Sequence, residues 1–156
     1  MVLSGHTIRK LCWQTPPLIS PFFERTTHHE SGTSYGISGA GYDVRIAQHL
    51  DLEPGMTMVL GSLVEYMHLP FNVIAVVHDK STLARLGVAV QNTVIEPGWY
   101  GYLTVEISFH GRQRIQICKG SPIAQILFHY TDMNCVPYEG KYQGQGPEPV
   151  PAIRER

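Results

Sequence analysis

The sequence predicts an all-β fold, and two observations lead to that prediction. Eleven prolines and fifteen glycines interrupt the chain, and most of them follow residue 16. The pieces between them are short, rich in Val, Ile, Leu and Tyr, and often alternate apolar with polar residues. Evenly spaced short strands with turns between them are typical of a barrel or jelly roll rather than of alternating β-α units. With 156 residues, 43% of them hydrophobic and 16% charged, the chain is predicted to form one domain over residues 1–156 with a substantial core.

Helices are predicted at only two places. Residues 3–11 have apolar side chains at helical spacing, and Ser4 is a candidate N-cap. A second helical turn fits residues 81–85. The fold is therefore predicted to begin with a short helix and to continue almost entirely as strands.

The strands are predicted from alternating or apolar runs that end at turn residues. They are residues 41–47, 56–60, 63–68, 73–78, 88–95, 100–109, 114–118 and 124–130. Residues 26–40, rich in Ser, Gly, Thr and His, are predicted to form an exposed loop. The last fifteen residues, rich in Gly, Gln and Pro, are predicted to form a tail without a core of its own.

One strand carries a lone carboxylate. In residues 100–109, alternation places one set of side chains on the apolar side: Leu103, Val105, Ile107 and Phe109. The other set is polar: Tyr102, Thr104, Glu106 and Ser108. Upstream lie a Lys-Ser-Thr segment suited to phosphate and a Pro-Gly turn. This order predicts an active site in which Glu106 stands on a polar face.

Composition argues against several other classes of protein, including those that bind nucleic acid or membranes. Lys and Arg number 12 against 13 acids, so no strong field would draw the chain to nucleic acid or to an acidic membrane. Apolar runs are too short for a membrane span, and no signal peptide is apparent, so a cytosolic protein is expected. The three cysteines are far apart and are expected to be ordinary reduced thiols.

Collinear motifs over nearly the whole chain resemble the dCTP deaminase and dUTPase superfamily, most closely its dCTP deaminase branch. The motifs are Leu3-Ser4, Ile8-Arg9-Lys10, Ile19-Ser20-Pro21-Phe22, Gly41-Tyr42-Asp43-Val44-Arg45-Ile46, Leu52-Glu53-Pro54-Gly55, Glu65 with Leu69-Pro70, Lys80-Ser81-Thr82-Leu83-Ala84-Arg85-Leu86-Gly87, Glu96-Pro97-Gly98-Trp99-Tyr100-Gly101, Val105-Glu106, Ile123-Ala124-Gln125 and Lys141-Tyr142-Gln143-Gly144-Gln145-Gly146-Pro147.

The resemblance implies a distorted, dUTPase-like jelly roll that assembles as a homotrimer. Three sites would lie at subunit interfaces, and residues from about 137 to 156 would close over the bound nucleotide. The implied ligands are dCTP and dUTP, and dTTP is a candidate feedback inhibitor. A disordered C-terminus is the alternative interpretation of the tail.

The resemblance assigns the chemistry to three residues. Deamination at cytosine C4 needs a base that activates water and an acid that protonates N3 and the departing amine, and one carboxylate can do both. Glu106 would take that role, Ser81 would orient the water, and Arg85 would stabilise the charge around it. The alternative for Glu106 is a surface carboxylate paired with a cross-strand Lys or Arg.

Phosphate binding is expected at the Lys-Ser-Thr segment. Lys80, Ser81, Thr82 and Arg85 combine two cations, two hydroxyls and the N–H groups of a turn, which together suit a triphosphate in the absence of a Walker loop. A solvated turn that begins a short helix is the alternative.

Sugar and base contacts follow from the resemblance as well. Glu96 would accept the deoxyribose hydroxyl, and Trp99 would lie where a ribose 2′-OH clashes; a β-turn with a half-buried Trp is the alternative. Thr104 and Val105 would offer backbone groups to the pyrimidine. The remaining positions that match nucleotide contacts in the family are Gln125, Tyr138, Lys141, which would meet the γ-phosphate, and Gln145. Asp43 and Arg45 are expected to be structural.

No protein-held metal is expected. The zinc deaminase signature, His-x-Glu with a later Pro-Cys-x-x-Cys, does not occur. Mg²⁺ would arrive with the triphosphate, held by phosphate oxygens and water.

The chain also departs from the family pattern. Glu96 stands where Asp is usual, and the segment 88–94 is about two residues shorter than the family's His-x-Thr-Ala hairpin. Gln91, Asn92 and Thr93 take that place, and base selection is therefore open. The alternatives to a dCTP deaminase are a dUTPase, a bifunctional enzyme that releases dUMP and pyrophosphate, and a catalytically silent nucleotide-binding regulator.

Overall fold

A computed structural model describes residues 1–154 and confirms the all-β prediction. The two helices are α1 (Gly5–Cys12) and α2 (Ser81–Ala84). The strands are β1 (Ile19–Ser20), β2 (Thr27–His28), β3 (Ser34–Ser38), β4 (Gly41–Arg45), β5 (Leu50–Leu52), β6 (Val59–His68), β7 (Val73–Asp79), β8 (Val88–Val90), β9 (Val94–Ile95), β10 (Tyr100–Phe109), β11 (Ile115–Ile117) and β12 (Pro122–Tyr130).

Two larger sheets and one small sheet make up the fold. One sheet has the order β1-β6-β10-β8, the other has the order β2-β3-β4-β12-β7-β9, and β11 pairs with β5. All the strand pairs are antiparallel. Buried side chains from both large sheets form one hydrophobic core, as expected for a jelly roll.

The short N-terminal helix has the cap that the sequence predicted. The Ser4 side chain accepts a hydrogen bond from the backbone N–H of Thr7, which satisfies one of the free donors of the first turn. Helix α1 buries Ile8 and Cys12 against the core. Neither α1 nor α2, the helices of residues 1–154, is long and apolar enough to cross a membrane.

The prediction of two strands at 56–60 and 63–68 was wrong, because β6 runs without a break. A glycine between apolar runs suggested a turn, but Gly61 lies inside the strand and pairs with Val105. A Cβ added at Gly61 would lie 2.5 Å from Cδ1 of Ile46. The glycine thus leaves room for the Ile46 side chain within a continuous strand and does not form a turn.

The prediction of one strand at 88–95 was also wrong. β8 pairs with β10 in one sheet, whereas β9 pairs with β7 in the other. Residues 91–93 therefore cross from one sheet to the other, and this crossing brings Thr93 and Val94 to the edge of a cavity beside β10.

The expected loop at 26–40 contains strands β2 and β3, which pair with each other and extend the sheet from β4. Gly36 has a φ of 95°, and a Cβ there would lie 2.5 Å from the carbonyl oxygen of Arg25. The glycine that suggested a loop instead permits a close backbone crossing. Strands β1 and β5 were not predicted.

The two charged residues expected to be structural both form ion pairs. Arg45 Nε lies 2.7 Å from Oε1 of Glu65, whose side chain is 0% exposed. Lys80 Nζ lies 2.7 Å from Oδ2 of Asp43, and both side chains are nearly buried. These pairs tie β4 to β6 and to the segment that leads into α2.

Candidate active site

A cavity of about 300 Å³ opens beside β10, and Glu106 is in its wall. We call it the Glu106 cavity. Its other lining residues are Met58, Leu60, Thr93, Val94, Ile95, Glu96, Trp99, Leu103, Thr104, Tyr138, Tyr142, Gln145, Val150 and Ala152.

A bulge in β6 lies opposite this wall. From Tyr102 to Thr104, β10 advances two residues while the paired β6 advances four, from Tyr66 to Ser62. Leu103 and Thr104 are both buried, so simple alternation fails there. Leu103, predicted to point away from Glu106, lines the same cavity as Thr104 and Glu106. Val105 faces the core with 1% exposure, so that only its backbone could meet a ligand.

Glu106 is half-buried among largely apolar neighbours. Leu60 stands opposite it on β6, and Met58 and Val94 line the same cavity. Among the ion pairs of residues 1–154 none includes Glu106. The alternative of a cross-strand salt bridge therefore has no support within the described chain.

The Pro-Gly turn holds two further candidates at the cavity. The backbone N–H of Trp99 donates to the carbonyl oxygen of Glu96 at 3.1 Å, and Gly98 has a φ of 76°. Trp99 is only 4% exposed, and its indole N–H donates to the carbonyl oxygen of Tyr142 at 2.8 Å. Glu96 is exposed at the rim, so its carboxylate remains accessible to a ligand.

The C-terminal segment folds onto this region. The backbone N–H of Tyr138 donates to the carbonyl oxygen of Pro97 at 2.8 Å, and that of Tyr102 donates to the carbonyl oxygen of Gln145 at 3.0 Å. The Gln145 side chain also accepts from the Thr104 backbone N–H at 3.2 Å. Lys141 is exposed, with its amine 5.5 Å from the ring centre of Tyr142. The tail, predicted to lack a core of its own, is thus fixed by backbone hydrogen bonds to β10 and the Pro-Gly turn.

The remaining predicted site residues lie elsewhere. We call Lys80, Ser81, Thr82, Arg85 and Gln125 the cradle group. No member of it, in the part of the chain that the structure describes, lines the Glu106 cavity. Thr82 instead lines a separate cavity of about 410 Å³.

Pairing in the sheet explains why Gln125 belongs with the cradle group. Gln125 on β12 stands opposite Asp43 on one side and His78 on the other, and Asp43 holds Lys80. The Gln125 side chain donates to the Ser38 hydroxyl at 3.3 Å. Ser81 and Arg85 are exposed. One chain therefore presents the candidate residues as two separate groups.

A fully buried carboxyl group, that of Glu65, lies outside this site. Burial raises the pKa of Glu65, although the backbone N–H and the guanidinium of Arg45 partly offset the effect. Glu65 lies in the core and outside the Glu106 cavity. Its perturbed pKa reflects a structural role. Within residues 1–154 no group of three His, Cys, Asp or Glu residues could hold a metal ion.

Several cavity residues were missed by the sequence analysis. Met58 and Leu60 precede the glycine at which β6 was divided, although Leu60 pairs directly with Glu106. Both residues lay in a predicted strand, but its register against β10 has no signal in the local sequence. Val150 and Ala152 reach the cavity only through the path of the tail, for which the sequence carried no signal.

The chain matches a family model described as dCTP deaminase-like over residues 42–131. A curated dCTP deaminase from Pseudomonas fluorescens (strain Pf0-1) is 32% identical over 179 residues, which cover 92% of this chain and 95% of that protein. A dCTP deaminase from Azotobacter vinelandii (strain DJ) is 33% identical with the same coverage.

Solved structures show the same fold. The 2′-deoxycytidine 5′-triphosphate deaminase from Agrobacterium tumefaciens aligns with a TM-score of 0.64 and 20% identity over 83% of this chain, which spans 48% of that one. A mutant dUTPase from phage phi11 of S. aureus, which coordinates a structural Mg(II) ion, aligns with a TM-score of 0.57 and 14% identity, covering 77% of this chain and 94% of that one.

Proposed function

The chain belongs to the dCTP deaminase family, and from that premise we propose that it hydrolyses dCTP to dUTP and ammonia. The observation that carries the proposal is the position of Glu106, a half-buried carboxylate in a largely apolar cavity. Such a group is placed to exchange protons with a bound base rather than to form a surface ion pair.

The reaction needs one water and one shuttling carboxylate. Glu106 takes a proton from water as the oxygen bonds to C4 of cytosine, and it delivers that proton to N3. It then moves the proton of the new C4 hydroxyl to the amine, so that the C4–N bond breaks and ammonia leaves. The product retains the proton on N3 and a carbonyl at C4, which is uracil.

Sugar and base recognition are assigned to the walls of the same cavity. Glu96 at the rim would accept the deoxyribose hydroxyl, and Trp99 would lie against the sugar and exclude a ribose. Thr104 and Val105 would offer backbone groups to the pyrimidine, and Gln145 and Tyr138 would contact the nucleotide from the tail. These roles are supported by the lining of the cavity, except for Val105, whose side chain faces the core.

Phosphate recognition is assigned to the cradle group of a neighbouring subunit in a homotrimer. The separation of that group from the Glu106 cavity supports this arrangement, because one chain offers two halves of a site. Lys80, Thr82 and Gln125 would hold the phosphates, Ser81 would orient the water, and Arg85 would stabilise the charge around it. Lys141 would meet the γ-phosphate.

The substrate would carry its own Mg²⁺ on the phosphate oxygens. The enzyme would use no zinc. Because dTTP shares the deoxyribose and triphosphate, it is a candidate competitor at the same site. Such an enzyme of the nucleotide pool would act in the cytoplasm.

A second function has one observation in its favour. Glu96 lines the same cavity as Glu106, where a second carboxylate could position a water for attack on a phosphate. The chain would then act as a dUTPase, or as a bifunctional enzyme that converts dCTP to dUMP.

The test measures ammonia and pyrophosphate separately. The purified protein is incubated with Mg²⁺ and either dCTP, dUTP or CTP. A dCTP deaminase releases ammonia from dCTP alone, a dUTPase releases pyrophosphate from dUTP, and a bifunctional enzyme releases both from dCTP. Binding of nucleotide without either product would contradict an enzymatic function and would favour a silent regulator.

The matched substitutions are Glu106→Gln and Glu53→Gln. Glu106→Gln should lower ammonia release by at least about 100-fold, since the proton shuttle is lost, whereas a pure dUTPase would retain much of its activity. Glu53 is exposed and, within residues 1–154, its side chain pairs only with Arg114, at 3.5 Å. Its substitution should leave both products unchanged.

A further inference from the structure

The hydroxyl of Ser62 connects the core of β6 to the C-terminal tail. Ser62 is 0% exposed, and its Oγ forms a hydrogen bond with the carbonyl oxygen of Pro147, 85 residues later in the chain. A fully buried hydroxyl that contacts a distant exposed segment fixes that segment in space.

Gln48 determines the direction of this hydrogen bond. The Gln48 Oε1 accepts from the backbone N–H of Ser62 at 2.7 Å, so its Nε2 faces the Ser62 hydroxyl and donates to it at 2.8 Å. The hydroxyl oxygen therefore accepts from Gln48, and its only proton is left for Pro147. The carboxamide and the hydroxyl form a chain in which the direction of each of these three hydrogen bonds is defined.

The segment held in this way covers the Glu106 cavity. Beyond Pro147, the backbone N–H of Val150 donates to Oγ1 of Thr104 at 2.9 Å, and that of Ile153 donates to the hydroxyl of Tyr142 at 2.9 Å. Val150 and Ala152 both line the cavity. The contacts made by Ser62 thus set the position of one wall of the candidate base pocket.

We propose that Gln48 and Ser62 form a latch that holds residues 147–152 over the Glu106 cavity, and that they are positioning residues for the nucleotide. The identity of that nucleotide rests on the proposed function. The latch orders the wall before a ligand arrives, so that less conformational entropy is lost on binding. Breaking it weakens binding while leaving the reacting groups in place.

Two substitutions break the latch in different ways. Ser62→Ala removes the hydroxyl. Gln48→Glu keeps the shape of the side chain, but a carboxylate would accept the Ser62 proton, so the carbonyl of Pro147 would lose its donor. Ser121→Ala is the matched control, because Ser121 is also a buried serine (3% exposed) and its hydroxyl has no hydrogen-bond partner within the described chain.

Hydrogen exchange of the C-terminal peptide and steady-state kinetics with dCTP are the two readouts. We expect Ser62→Ala and Gln48→Glu each to speed exchange of the Val150 and Ile153 amides by about 2- to 10-fold, the range for one hydrogen bond. KM for dCTP should rise by a similar factor, while kcat stays within about twofold. Ser121→Ala should change neither quantity.

Unchanged exchange and unchanged KM in both folded variants would overturn the latch. A fall in kcat without a change in KM would also overturn it, because it would place these residues in the chemistry. The exchange measurement does not depend on turnover. Absence of ammonia from the wild-type protein would therefore refute the proposed function while the latch could still be tested.

Discussion

Two carboxylates on neighbouring strands of one sheet have opposite surroundings. Glu65 on β6 is fully buried and bound by Arg45, and burial raises its pKa. Glu106 on β10 is half-buried in a cavity wall and outside the described ion pairs. Proton transfer needs a carboxylate that a substrate can reach, so accessibility selects Glu106 rather than the fully buried Glu65.

Glu96, at the rim of the Glu106 cavity, gives a prediction for the binding of dCTP. Glu96→Ala removes an exposed side chain, so the fold should be retained, but the acceptor for the deoxyribose hydroxyl is lost. Hydrogen bonds to charged groups contribute about 1.5–3 kcal/mol, and we expect kcat/KM for dCTP to fall by about 10- to 100-fold. Melting curves of both proteins should coincide. An unchanged kcat/KM would remove Glu96 from the site.

The buried thiol of Cys12 gives a prediction for how the stability of the fold depends on pH. Burial raises the pKa of the Cys12 thiol to about 12 and also raises the pKa of the Tyr42 hydroxyl. Well below pH 9.0 the thiol is protonated in both the folded and the unfolded state, so its ionisation costs no stability there. Between pH 9.0 and about 12 the unfolded chain loses protons that the folded chain keeps, and stability should fall as pH rises.

Urea unfolding midpoints between pH 8 and pH 11 would measure this fall. A thiol reagent at pH 8 should label Cys118 and Cys135 in the native protein, which are exposed and half-buried. Cys12 should react only after unfolding. Rapid labelling of Cys12 in the native protein would contradict its assignment to the core.

At the scale of the elements, Arg45 connects β4 to β6. Its guanidinium lies 4.8 Å from the ring centre of Phe23 and 4.7 Å from that of Tyr35, and its Nε binds Glu65. Arg45→Lys would lose the planar stacking and the Nε donor. We expect the free energy of unfolding to fall by about 3 kcal/mol, because Glu65 would remain buried with a poorer partner.

Arg114→Lys is the control for this substitution. Arg114 also pairs with acidic residues, Asp51 and Glu53, but these side chains are exposed to solvent. Exposed pairs are screened by water and salt, so urea unfolding should change little. Equal losses for the two substitutions would contradict the structural role of Arg45.

The elements also show what could be predicted from the sequence. Helix α1 and strand β10 were predicted almost to the residue, because a cap and an alternating run are local signals. β6 was divided and β3 was assigned to a loop because Gly61 and Gly36 look like turn residues. In the structure Gly36 allows a close approach to the backbone carbonyl of Arg25, and Gly61 leaves room for the side chain of Ile46. Such tertiary contacts cannot be deduced from the local sequence.

The sequence allowed the residues of the candidate site to be predicted, but not their positions relative to one another in the fold. The motifs identified Glu96, Trp99, Thr104 and Glu106, which share one cavity. The separate position of the cradle group depends on how the sheets fold. The wall formed by Val150 depends on a hydrogen bond from its backbone N–H to the Thr104 hydroxyl, a contact between residues far apart in sequence.

At the scale of the whole molecule, the two separate groups predict complementation between subunits. Trimers assembled from equal amounts of Glu106→Gln and Arg85→Ala chains would contain sites in which both residues are intact. An active site needs an intact Glu106 from one subunit and an intact Arg85 from another. If the subunits combine at random, each condition is met in half of the cases, so about a quarter of the sites should be active. Each variant alone should have almost no activity.

Ammonia release by the co-refolded mixture measures this complementation. Mixing the two variants without refolding is the control, because intact trimers would not exchange chains. No gain of activity after co-refolding would place Glu106 and Arg85 in the same subunit's site and would contradict the shared arrangement.

The central claim is that Glu106 faces the pyrimidine of a bound nucleotide and moves its protons. A crystal structure of the Glu106→Gln variant with dCTP and Mg²⁺ tests it most directly. We expect the substituted side chain to lie within about 3.2 Å of N3 or of a water at C4, with the phosphates on the cradle group of a neighbouring subunit. A base bound away from position 106, with that side chain in bulk solvent, would contradict the account.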